Sequence, residues 1–165
     1  MRVNYVLPIT NTEFEMSQND FSHCDVWTRM YKGLFIKIHR SHQLGNVDYH
    51  IKPKDLWCYY ISFNKDRLEE SIFNLVTAGI KETEWFSCNY QDSPLSNLNW
   101  HHGCTYGKLI RNHNAELHVI ELGCDYNHYW DEGFDYCFEY VENEAMATVD
   151  DFIDRYPTAI KELNK

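Results

Sequence analysis

Trp57-Cys58-Tyr59-Tyr60-Ile61-Ser62-Phe63 is an unbroken run of aromatic, β-branched and small residues without glycine or proline. Such a composition fits a pleated strand inside a sheet. Asn64 follows as a helix cap, Leu68, Ile72, Leu75 and Val76 recur at helical spacing, and Gly79 is a natural stop. A strand that feeds a helix is therefore the organising unit. Upstream, residues 3–8 and 33–39 read as strands, residues 44–47 as a turn, and residues 48–51 as a short strand ended by Pro53. Downstream, residues 80–99 are irregular around Ser93-Pro94, and strands at 100–106 and 117–125 form a hairpin through the polar segment 108–114. Tyr140, Val141, Ala145, Thr148, Val149 and Phe152 make one apolar stripe, which predicts a helix over 138–155. Pro157 ends it, and residues 159–163 read as a short terminal turn. Strands mixed with helices, without a regular βαβ rhythm, predict an α+β fold. Its expected form is a mostly antiparallel sheet with two or three helices packed on it.

Composition narrows the function classes. No repeat or Gly/Ser/Pro linker interrupts the 165 residues, so a single domain over 1–165 is expected. No apolar run approaches the ~18–20 residues of a membrane helix, and the opening residues lack a signal-peptide pattern, so the expectation is a cytoplasmic protein with no membrane contact. The six cysteines are scattered without a Cys-x-x-Cys, which argues against a ribbon-type zinc site and a disulfide scaffold. The net charge is −10, and it is lopsided. Residues 1–112 hold twelve acidic and twelve basic side chains, whereas residues 113–165 hold thirteen and three. Direct nucleic-acid binding is disfavoured, because phosphate contacts need a basic surface. The acidic end is either a solvated helix face or a patch for a basic partner. Aromatic residues make up 16% of the chain; most are expected in the core, and the alternative is that a minority line a pocket for a flat or sugar-bearing ligand.

Chemistry concentrates in residues 100–131. Trp100-His101-His102-Gly103-Cys104-Thr105-Tyr106 is followed, after a sixteen-residue spacer, by Gly123-Cys124-Asp125-Tyr126-Asn127-His128-Tyr129-Trp130-Asp131. On a strand, His101, Gly103 and Thr105 share one face, and His102, Cys104 and Tyr106 share the other. Asp125, His128 and Asp131 are three apart and gather only if the chain turns after Gly123, which places them on a strand end and loop. A histidine beside a carboxylate serves as a general base whose tautomer the carboxylate fixes. Two histidines and an aspartate also suit a metal, but no His-x-x-x-His pair is present, so neither metal nor other cofactor is expected. The third reading is structural: Asp125 and His128 cap turns within an aromatic core.

These residues carry a resemblance. They are similar to a family of uncharacterised small proteins of bacteriophages and prophages whose signature is His-Gly-Gly-x-Thr-Tyr, a spacer, then Gly-Phe-Asp-Cys-Ala-His-x-x-Asp. His101, Gly103, Thr105 and Tyr106 match its first half, and Gly123, Asp125, His128 and Asp131 its second. Tyr140-Val141 and Glu144 resemble the family's trailing helix, and residues 57–61 loosely match a Cys-Gly-Tyr-Val strand. His102 replaces a glycine, Tyr126 a cysteine and Trp130 a small residue. The resemblance implies a phage accessory protein of the host cytoplasm, of the kind that counters host defence.

Two functions follow as expectations. In the first, His101, Thr105, Asp125 and His128, walled by Tyr106 and Tyr60 with Gly103 and Asp131 beside them, hold a small nucleotide-like ligand. Any hydrolysis then uses His101 or His128 as the acid–base group and Asp125 as its orienting partner. In the second, the acidic face of residues 131–154 binds a basic host defence protein, without catalysis.

Overall fold

A computed structural model describes residues 15–17, 24–43, 45–50, 52–83 and 87–161. The predicted strand at 3–8 lies outside them, as do Leu44, Ile51 and the end of the terminal turn. Six antiparallel strands form one sheet in the order β1-β2-β3-β4-β6-β5. They are β1 Glu15–Ser17, β2 Cys24–Tyr31, β3 Leu34–Gln43, β4 Lys54–Asn64, β5 Tyr106–Arg111 and β6 Leu117–Asp125. Helix α1, Glu70–Thr77, follows β4, and helix α2, Phe138–Arg155, closes the chain. The fold is α+β.

The opening motif behaves as its composition requires. β4 lies between β3 and β6, and Trp57, Tyr59, Ile61 and Phe63 alternate into the core. α2 lies over that face with Val141, Ala145, Thr148, Val149 and Phe152 buried. Phe63 meets Phe152 edge to face with centroids 5.1 Å apart, and Trp27, Trp57 and Phe138 cluster at the other end. Each fully buried aromatic contributes about 1.5–3 kcal/mol of apolar burial. Among the described residues no helix is long and apolar enough to cross a membrane.

Four expectations change. β2 has no counterpart in the sequence reading, because Asp25 and Arg29 interrupt its apolar pattern. The fold gives each a partner: Asp25 receives Arg40 at 2.8 Å, and an Arg29 guanidinium N–H donates to the Met146 sulfur of α2 at 3.5 Å. Lys32 and Gly33, both left-handed, make the tight β2–β3 turn. Residues 47–50 are a turn and not a strand, because Asn46 Oδ1 accepts from the N–H groups of Asp48 and Tyr49, and β4 starts after Pro53. α1 starts later than predicted and buries Phe73 and Val76, leaving Leu75 exposed. Asn64 instead closes a turn, its side chain accepting from Asp66 N–H.

The fourth change reshapes the site. Residues 101–103 are a turn and not a strand, with His102 at φ 51° and Gly103 at φ 102°. Left-handed backbone at two successive residues breaks the strand, so pairing begins only at Thr105 N–H, which donates to the Gly123 carbonyl. β5 then runs through the segment taken as a polar connection, its Lys108 pointing out and Leu109 in. Conversely the chain does not turn at Gly123. β6 continues straight to Asp125, and Gly123 is glycine because a Cβ there would sit 2.6 Å from the Tyr59 carbonyl oxygen on the neighbouring strand.

Candidate functional site

A straight β6 splits the predicted residues between the faces of the sheet. Asp125 pairs with Cys58 and so lies on the Tyr60 side, away from α2. There Tyr60 and Tyr106 meet edge to face at 5.0 Å, and Lys37 and Tyr106 both approach Glu121. Burial and the Glu121 carboxylate push the Tyr106 hydroxyl up to about 12. Asp125 is occupied locally: it accepts from the Thr105 hydroxyl at 3.0 Å and from Asn127 N–H at 2.9 Å. It therefore orients neither histidine. Gly103 forms the turn described above and has open space beside it.

The histidines gather on the α2 side, around Asp131. After β6, Tyr126 N–H donates to the Trp57 carbonyl, and the chain loops out and returns at Tyr136, whose carbonyl accepts from Trp57 Nε1. The turn Tyr129–Asp131 inside that loop drives Asp131 inward, where its side chain is 3% exposed. Its Oδ1 lies 2.7 Å from His101 Nε2 and receives the Tyr136 hydroxyl at 2.6 Å. Its Oδ2 receives the His128 N–H at 2.8 Å and lies 2.9 Å from His128 Nδ1. His102 Nε2 stands 3.7 Å from Oδ1. The left-handed turn at 102–103 is what lets two consecutive histidines reach one carboxylate; strand alternation would have sent them apart.

A second carboxylate completes the arrangement. Glu144, on α2, lies 2.7 Å from His101 Nδ1 and accepts the Tyr126 hydroxyl. His101 is thus held at both nitrogens by carboxylates, and its ring stacks on Tyr126 with centroids 3.7 Å apart. Its backbone N–H donates to the Tyr59 hydroxyl, which in turn meets Thr148 of α2 at 2.8 Å. Burial lowers the His101 pKa, but the hydrogen bonds to Glu144 and Asp131 outweigh it and raise the value above that of an ordinary histidine. Burial likewise pushes the Asp131 carboxyl up, yet Tyr136, the His128 N–H and the two imidazoles hold it well below the usual carboxylate range. Glu144 is shifted down for the same reason, by His101 and Tyr126 against its own burial.

The donors of His101, His128 and Asp131 lie within 4.8 Å of one another, close enough to converge on one ion. Beside them opens a groove of about 420 Å³ lined by His102, Trp130, Phe134, Tyr136 and Tyr140, with Asp135 and Cys137 at its edge. Trp130, Phe134 and Tyr140 are exposed there. Sequence spacing found His101, His128 and Asp131. It gave Tyr126, Tyr136 and the groove aromatics no role in the site, and it noted Glu144 only as part of the resemblance. These come from a loop and a helix whose positions only the tertiary fold sets. No protein-family model, curated protein or solved structure matches the chain.

Proposed function

We propose that the chain binds a small nucleotide-like molecule in the groove beside Asp131, as a phage accessory protein acting in the host cytoplasm against a defence signal. The observation that carries this reading is the convergence of His101, His102, His128 and Tyr136 on one buried carboxylate at the edge of an aromatic groove. A base stacks on exposed aromatic rings such as Trp130 and Phe134, worth about 1–3 kcal/mol per base. The imidazoles of His102 and His128 offer donors to a phosphate or ribose. Sequestration alone meets the reading. Where hydrolysis accompanies it, His128 carries the proton and Asp131 is its orienting carboxylate, in the place first given to Asp125. Calorimetry against a panel of cyclic and linear nucleotides tests it: heat with at least one member, lost in Trp130→Ala, is expected, and no heat with any member sinks it.

The acidic-partner reading gains no support of its own. Asp150 is paired with Lys32 at 2.5 Å and takes the Tyr31 hydroxyl, and Asp151 accepts Asn99 N–H and Arg155. The face has fewer unneutralised acids than its composition implies.

A further inference from the structure

We propose that His101 Nε2, His128 Nδ1 and a carboxylate oxygen of Asp131 bind one divalent transition-metal ion, Zn²⁺ by donor type, with a coordination position left toward the aromatic groove. Two imidazoles and one carboxylate suit zinc, and three protein ligands with a remaining position are the pattern of sites that take a substrate or water. The inference deepens the groove reading by naming what would grip the ligand's phosphate, and it rests on that reading only for the ligand; with an ion on His128 Nδ1 and Asp131, that pair ligates and no longer serves as proton carrier and orienting carboxylate.

Three features of the surroundings argue for an ion and not merely a hydrogen-bonded knot. First, the outer partners are already in place. Glu144 holds His101 Nδ1 at 2.7 Å, so the carboxylate–imidazole relay that orients a metal-binding histidine exists, with Nε2 aimed at Asp131. Tyr136 and the His128 N–H fix the two oxygens of Asp131 in the same way. Second, the charge asks for it. Asp131 and Glu144 lie 2.7 Å from opposite nitrogens of one buried imidazole, so two carboxylates are brought together around a single ring. A dication at Nε2 would offset that concentration of acidic groups. Third, the donors are already close. Donors bound at about 2.1 Å in a tetrahedron stand about 3.4 Å apart; here His101 Nε2 is 2.7 Å from Asp131 Oδ1, His128 Nδ1 is 2.9 Å from Oδ2, and one donor atom from each of the three residues falls within 4.8 Å of the others. His102, 3.7 Å from Asp131 and lining the groove, stands next to the remaining position.

The test uses the full chain, stripped with a chelator, then titrated with Zn²⁺ against a chromophoric competitor and separately with Co²⁺, whose visible absorption reports tetrahedral coordination. One ion per chain and a tetrahedral Co²⁺ spectrum are expected. Outer-shell changes at metal sites cost about 10–100-fold in affinity, so Glu144→Gln is expected in that range and His128→Ala or Asp131→Asn beyond it. His42→Ala, a histidine paired with Asp25 and Asp55 elsewhere on the sheet, leaves uptake unchanged. Circular dichroism selects the folded variants. Failure of the wild-type chain to take up either ion, or uptake unaltered in both His128→Ala and Asp131→Asn, overturns the inference. Nucleotide calorimetry in chelator and in Zn²⁺ separates the two readings. Nucleotide heat without metal uptake spares the groove and removes the ion, whereas metal uptake without nucleotide heat keeps the ion and removes the groove ligand.

Discussion

Tyr59 and Tyr60 are adjacent on β4 and serve opposite faces of the sheet. Tyr59 is fully buried under α2, stacks on Trp100 and holds the His101 backbone, whereas Tyr60 lies with Lys37, His39, Tyr106 and Glu121 on the other side. The difference assigns every candidate residue. Those reached through Tyr59 belong to the cluster around Asp131. Those reached through Tyr60, including Tyr106 and Asp125, have separate partners. Proximity along a strand is thus a poor guide to a shared site, because neighbouring side chains are separated by the sheet itself.

The α2 side of the sheet is packed most closely where β4 meets α2. Phe63→Ala removes a fully buried ring packed on Phe152 and should cost about 3–5 kcal/mol in chemical denaturation. A loss no greater than that of an exposed substitution would mean that α2 is not seated as described. Next come the two histidines. His101→Ala leaves Asp131 and Glu144 without their shared partner and should cost about 1–3 kcal/mol. His128→Ala should cost less, since its ring is partly exposed and the His128 N–H still holds Asp131. Thermal melts showing the reverse order would contradict the buried position of His101.

The pH response of the metal-free chain follows from the same cluster. His101 is raised in the fold, so its contribution is complete below the ordinary histidine value of about 6.5 and fades as pH rises through the folded value. Asp131 and Glu144 are lowered, so theirs is complete above about pH 4 and fades as pH falls through their folded values. His102, His128, Tyr126 and Tyr136 face the same groups. Urea denaturation in chelator should therefore show this contribution at its maximum between about pH 4 and 6.5, with the alkaline decline reduced in Asp131→Asn. The smallest effect is expected on the other face. Thr105→Val and Asp125→Asn should stay within about 0.5 kcal/mol of the parent and leave ligand heat in the groove unchanged. A loss of ligand heat in either would return Asp125 to the site.

Much of this was legible in the residues. β6 and α2 lie where periodicity placed them, because each presents one uninterrupted apolar pattern to the core. The centre of β4 was plain for a related reason. β2 was hidden, since its inward Asp25 and Arg29 make sense only beside Arg40 and Met146. The strand expected at 100–106 failed on two left-handed residues, and His102 gives less warning of such a conformation than a glycine does. In the site, residue types named His101, His128 and Asp131 correctly as neighbours. Their pairing was not legible, because Asp131 is turned inward by a loop and Glu144 arrives from a helix thirteen positions later.

Trp130 lies nearly parallel to the His128 ring, with centroids 6.2 Å apart and planes 7° off. Among the described tryptophans it is exposed, while Trp27, Trp57 and Trp100 are buried. Because this indole also lines the groove, a molecule settling there displaces the water around it, so the protein carries its own optical gauge. Red-edge excitation, which favours the solvent-facing indole, should report occupation of the groove without any added label.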